Sequence, residues 1–220
     1  MPGVDLAELY RGGQERVAGL VQELSPAEIA APVPTCPGWT VRDVVAHLSG
    51  IAEDVVAGNT AGAMTDAWSA AQVARGRGRS VPDLLAGWAA NLPGVEAFLT
   101  AHPRQWPAVI DIAAHEQDMR GAVSRPGARD NPIIQAMTPV LLASVRVTRP
   151  LVIQTEHGET RVGPDSGSAI VLSTTRFEAF RLRMGRRSKA QVARLDWSAD
   201  PEPYLDRLFV FGPSRTDIVE

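Results

Sequence analysis

Three residues of this chain have types and spacing that could do chemistry: His47, and the pair Asp111 and His115 four positions apart. Two residues four apart share one face of a helix. A carboxylate oxygen and a neutral imidazole nitrogen one turn apart can converge on a single cation. A histidine from a facing helix would complete a three-ligand site in a bundle core. Three protein ligands leave a coordination position open, which a catalytic metal needs and a structural one does not. Two further acidic residues of the same segment, Glu116 and Asp118, could accept the other ring N–H of a histidine or serve as a base.

On spacing alone, Asp111, His115 and Asp118 read more readily as a solvated polar stripe, since i,i+4 Asp/His pairs are common. His47 sits among Val44, Val45, Leu48 and Ile51, on the side expected to be buried. A lone histidine there is more often a hydrogen-bonded core residue than a ligand. His102, before Pro103, reads as a helix-end residue, and His157 as an exposed hairpin tip. Cys36, between Thr35 and Pro37, has no histidine beside it in sequence and reads as a small buried residue of a turn, with proximity to His47 left open. The run GRGRS lacks the lysine and the strand–loop–helix context of a phosphate loop.

The elements that must position these residues follow from periodicity. Residues 4–24 carry apolar positions at helical spacing, weakened by Gly12 and Gly13. A proline-rich connection follows, and Thr40 with Asp43 three residues on predicts a helix start, running to about Gly58. The stretch 59–79 is poor in large apolar residues, and ARGRGRS reads as a mobile loop. Ser80, Pro82 and Asp83 mark another start, for a helix reaching about Thr100 that Pro93 should kink or break. Further helices are expected over 107–123 and about 132–146, the latter accommodating Pro139. After Pro150 the period changes: LVIQTE, a His157-Gly158 turn and TRVG predict a hairpin, SAIVLST a further strand, and FEAFRLRMG a helix stopped by Gly185. The expected division is therefore a helical domain over 1–148 and a small α+β domain over 149–220, an α+β chain overall.

Composition sets the outer bounds. A chain of 220 residues can bury a sizeable core as one large or two small domains. Net charge of -3 and a pI near 5.8 argue against a general nucleic-acid binder. The apolar runs are too short to span a bilayer, and the N-terminus shows no signal-peptide pattern, so a cytoplasmic protein is the expectation. A single cysteine excludes an internal disulfide and any multi-thiolate metal site. Lys189 is the only lysine among 22 Lys+Arg, which with the abundant Ala, Val, Gly and Pro suggests a GC-rich genome.

The segment PTCPGWTVRDVVAHLSG, residues 34–50, closely resembles the signature of the mycothiol-dependent maleylpyruvate isomerase family, within the DinB-like superfamily of metal-binding helix bundles. DIAAHEQDMRGAVSRPGARD, residues 111–130, resembles a second run of its actinobacterial members, and TRFEAFRLRMGRRS with LDW resembles their smaller C-terminal domain. The resemblance covers nearly the whole chain. It implies a DinB-like up-and-down bundle followed by a small α+β domain. It also implies a divalent metal, zinc first and nickel second, held by His47, Asp111 and His115, and so reverses the preference for a solvated stripe. Asp111 stands where the isomerase has glutamate, one methylene longer. Mycothiol as a thiol cofactor, a small electrophilic substrate and a homodimer are also implied. Isomerisation or S-transfer is the first expected activity, a metal-dependent hydrolase the second, and a non-catalytic ligand-binding bundle the third. Arg181 and Arg186 are candidates for a substrate carboxylate, against a plain solvated basic face.

Overall fold

A computed structural model describes residues 4–220. Packing divides the chain into two compact units, Met1–Gly127 and Ala128–Glu220. The first unit is helical: α1 (Leu6–Gln22), α2 (Pro26–Ile29), α3 (Val41–Val56), α4 (Asp66–Gly76), α5 (Val81–Ala101) and α6 (Pro107–Ala122). In it α3 packs against α4, α5 and α6, and α1 against α5 and α6.

Helix starts are written in the sequence. Thr40 with Asp43 and Ser80 with Asp83 form complete capping boxes, as expected, and Ser25 with Glu28 forms another at α2 inside the proline-rich connection. Pro93 does not end α5, which continues to Ala101. Leu84, Trp88, Val95 and Leu99 lie on either side of it on one buried face. That burial outweighs the roughly 3 kcal/mol an interior proline costs. The Trp88 indole N–H donates to the Tyr10 hydroxyl at 2.9 Å in the core, tying α5 to α1.

The largest departure from expectation is α4, a helix in the apolar-poor stretch 59–79 whose last residues, from 74 to 76, fall in the ARGRGRS run expected to be loop. Its N-cap is Thr65, and its buried residues are Gln72, Val73 and Gly76, too few to make an apolar stripe. Glycine explains how it docks. A methyl group at Gly50 of α3 would lie 2.6 Å from Gln72 Cβ, and one at Gly76 would lie 2.5 Å from Ala46 Cβ. Backbones approach closely there because neither glycine has a side chain, so the helix is recognised by proximity rather than by periodicity.

The second unit contains α7 (Pro132–Ala143), β1 (Leu151–Thr155), β2 (Gly158–Val162), β3 (Ile170–Ser173), α8 (Arg176–Arg183), α9 (Lys189–Ala193), β4 (Asp196–Trp197) and α10 (Glu202–Leu205). The sheet order is β2-β1-β3-β4. β1 pairs antiparallel with β2 through a Glu156-His157 loop, one residue earlier than the expected turn, and parallel with β3. The short elements after Gly185 fall below the length at which periodicity is legible. Division by packing puts α7 with the sheet, whereas the change of period put it with the bundle: Leu142 and Val145 share a core with Leu151, Ile153, Leu172 and Leu182. Gly185, at φ +75, follows α8 as its left-handed stop. Among the described residues no helix is long and apolar enough to cross a membrane.

The close α3–α4 contact predicts that Gly50→Ala, although alanine is the better helix former, will destabilise the protein by about 1–3 kcal/mol through overpacking against Gln72. Denaturant unfolding would show it as a lower midpoint at unchanged slope.

Candidate metal centre

His47 comes from α3 and Asp111 and His115 from α6, and the helices bring one ligand atom of each within 4.8 Å of the others. His47 Nε2 lies 3.4 Å from one Asp111 carboxylate oxygen, and His115 Nε2 lies 3.5 Å from the other. The shorter Asp111 side chain therefore reaches both rings. Both imidazoles are buried, at 4% and 6% exposure, while the Asp111 side chain is 32% exposed and marks the open side.

The other nitrogen of each ring is held by an acceptor. Gln72 Oε1 lies 2.7 Å from His47 Nδ1, and the Gln72 amide N–H donates to Asp54 Oδ2 at 2.8 Å. Asp54 in turn accepts from Arg75 at 2.8 Å. Because the amide nitrogen is committed to Asp54, its oxygen faces the ring, and a carbonyl can only accept. The neutral His47 ring therefore carries its proton on Nδ1 and its lone pair on Nε2, toward Asp111. Asp118 does the same for the second ring, accepting from His115 Nδ1 at 3.1 Å. Acceptors behind the ligating rings are the usual support of a histidine metal site.

The donor set fits a divalent cation. Bond lengths of about 2.0–2.1 Å in tetrahedral array put nitrogen and oxygen ligands about 3.3 Å apart, close to the two separations found. The proton competes for the same place. Burial alone disfavours the His115 imidazolium, yet the charges of Asp111 and Cys36, with hydrogen bonds to Asp118 and Cys36, outweigh it and raise its pKa to about 10. A cation entering beside the ring must displace that proton, so uptake is opposed by acid.

Two residues beside the rings were not assigned to a site from sequence. In Cys36-Pro37-Gly38-Trp39 the Trp39 N–H donates to Cys36 O at 3.0 Å and Gly38 adopts φ +84, the pattern of a type II turn. The turn brings the Trp39 ring to 5.1 Å from that of His47. It also puts Cys36 Sγ 3.8 Å from His115 Nδ1 and 3.7 Å from Asp118 Oδ2. Cys36 thus faces His115 rather than lying as an isolated turn residue. The Pro-Gly pair was a legible sign of that turn; nothing local marked Gln72.

The remaining candidates lie elsewhere. Glu116 is fully buried, with one oxygen accepting from Arg16 at 3.0 Å and the other from Arg120 at 3.2 Å. Its carboxylate is an ion-pair centre, not a group behind the ligands. In the second unit, Arg181 is fully buried and donates to Glu220 at 3.1 Å, and Arg186 donates to the Met184 carbonyl at 2.7 Å. Arg181 is therefore not part of a solvated basic face. His102 caps the end of α5 through Phe98 O, and His157 sits exposed in the hairpin loop.

Comparison with known proteins agrees with the resemblance carried by residues 34–50. Residues 10–110 match the family model described as the mycothiol maleylpyruvate isomerase N-terminal domain, a segment that includes His47 and stops one residue before Asp111. The fold is similar to two crystal structures of the mycothiol-dependent maleylpyruvate isomerase. One is of a histidine-to-alanine variant, with a TM-score of 0.62, and the second has a TM-score of 0.56. Each is 16% identical, with 92% of this chain and 96% of the other covered. At that identity the likeness is one of fold, and it supports the expected helix bundle followed by a small α+β unit. No curated protein sequence matches the chain.

With Gln72 Oε1 as the acceptor, nitrogen NMR of the metal-free protein should find neutral His47 as the Nδ1–H tautomer. In Gln72→Leu the acceptor is gone, and the ring should relax to a mixture of tautomers while far-UV circular dichroism stays unchanged.

Proposed function

We propose that this chain, whose residues 10–110 match the model of the mycothiol maleylpyruvate isomerase N-terminal domain, is a metal-dependent enzyme. It would use a mycothiol-type thiol to isomerise a small electrophilic substrate or to transfer the thiol to it. The observation that carries the reading is the convergence of two buried imidazole Nε2 atoms, each with Nδ1 held by an acceptor, on the carboxylate of Asp111. A divalent ion held by His47, Asp111 and His115, zinc before nickel, would supply Lewis acidity and stabilise the thiolate of the cofactor.

This chain's own residues do the rest. Gln72 and Asp118 hold the two rings so that both Nε2 lone pairs face one point. Asp54, itself paired with Arg75, fixes the orientation of the Gln72 amide. Trp39 packs beside the His47 ring, and Asp111, the least buried of the three ligands, marks the side of approach. A hydrolase on the same frame would need a carboxylate base. Both oxygens of Glu116 are taken by arginines, and Asp118 Oδ2 already accepts from His115 and Cys36, which favours the thiol reading. A low-molecular-weight thiol pool belongs to the cytoplasm, and that is the location this reading assigns.

The test is elemental analysis of protein purified without a metal-binding tag, with His47→Ala and Asp111→Ala beside it. Wild type should hold at least one equivalent of zinc or nickel. Each variant should bind it far more weakly, by more than the roughly 10–100-fold cost of losing an outer partner. Addition of mycothiol to the cobalt-substituted protein should then shift the visible spectrum of the ion. Wild type that takes up no zinc on incubation would overturn the proposal.

A further inference from the structure

His115 presents its two nitrogens to two different groups of ligand atoms. Nε2 faces Asp111 at 3.5 Å, whereas Nδ1 lies 3.1 Å from Asp118 Oδ2 and 3.8 Å from Cys36 Sγ. The triangle closes with 3.7 Å between Cys36 Sγ and Asp118 Oδ2. We infer that the N-terminal unit carries a second cation site, back to back with the first, formed by Cys36 Sγ, Asp118 Oδ2 and His115 Nδ1, and suited to a thiophilic divalent ion such as zinc or cadmium. The proposed function needs only the first site, so this inference goes beyond it.

Three features carry the inference. Metal–ligand bonds of about 2.0–2.3 Å in tetrahedral array put sulfur about 3.5–3.6 Å from nitrogen or oxygen, and nitrogen about 3.3 Å from oxygen. The three separations found lie within a few tenths of an ångström of those values. The donors are one sulfur, one nitrogen and one oxygen, a mixed set that zinc and its softer relatives accept and that magnesium or calcium does not. The charges also balance. The Asp118 carboxylate and the Cys36 thiolate supply two negative charges for one divalent cation. On loading, the thiol proton and the Nδ1 proton leave to solvent, and the ion replaces the Asp118–His115 hydrogen bond as the tie that orients the ring. Cys36 is partly exposed and gives the ion a way in, while the Asp118 side chain is wholly buried.

Cys36 is the only cysteine, so any thiolate–metal signal belongs to it. The full-length, metal-stripped protein is titrated with cadmium, following bound metal by equilibrium dialysis and thiolate-to-metal charge transfer in the ultraviolet. Wild type should bind two equivalents, one of them with the thiolate band. Cys36→Ser should bind one and show no band. Asp111→Asn should lose the other equivalent and keep the band. Asp118→Asn, with unchanged far-UV circular dichroism, should weaken the band-forming event at least tenfold. Cadmium should also slow alkylation of Cys36 by iodoacetamide at least tenfold. One equivalent with no thiolate band in wild type overturns the second site and leaves the first standing, whereas no bound metal at all overturns both. A band that Asp118→Asn leaves at full affinity, or alkylation indifferent to cadmium, shows a thiol binding metal on its own and overturns the inference.

Discussion

The hydrogen bond between His47 Nδ1 and Gln72 Oε1, 2.7 Å long and fully buried, is the contact on which the arrangement of the N-terminal unit depends. A buried amide and a buried imidazole are costly unless each polar atom has a partner. The partners form a line from the ring through Gln72 to Asp54 and out to Arg75, which is partly exposed. That line exists only because α4 lies against α3 without intervening side chains, at Gly50 and Gly76. Local packing that looks like a minor feature of two glycines therefore determines which nitrogen of His47 carries the proton, and so where its lone pair points.

The acidic residues of α6 show how neighbours divide one residue type among several tasks. At about 100° per residue, Asp111, His115 and Asp118 fall on one face, whereas Glu116 is turned about 140° from Asp111. On the site face, Asp111 meets two rings and Asp118 supports one of them. On the other, Glu116 is neutralised by Arg16 and Arg120. A buried carboxylate with two guanidinium partners has both oxygens engaged and, with its side chain wholly buried, no water within reach. Burial is common to Glu116 and Asp118; the charge and reach of the facing residues separate their roles.

The same logic governs the Cys36 turn. Proline and glycine at its central positions set its backbone, and its register aims both flanking side chains, a thiol and an indole, at the histidine pair. The turn thus joins the segment before α3 to α6 through side chains rather than through strand or helix contacts. In the second unit a comparable device joins distant segments: Arg181, Arg187 and Glu220 form a buried charged cluster. Such a fold can host more than one chemistry, and the reaction belongs to the site rather than to the bundle.

Some of this protein follows from its sequence alone. The capping boxes at Thr40 and Ser80, the helices that carry His47, Asp111 and His115, the hairpin after Pro150 and the stop at Gly185 each depend on residues near one another in the chain. Their signals are periodic burial, side-chain capping and turn chemistry, all local. The i,i+4 relation of Asp111 and His115 belongs to the same class. Tertiary structure decided the rest: that α4 is a helix against α3, that Gln72 and Asp118 orient the rings, that Cys36 faces His115, that Glu116 turns away, and that α7 joins the sheet. Each of those depends on how close two segments far apart in sequence can come. That distance is set by the volume of side chains at the contact and by the partners buried polar atoms find there, and neither leaves a period in the sequence.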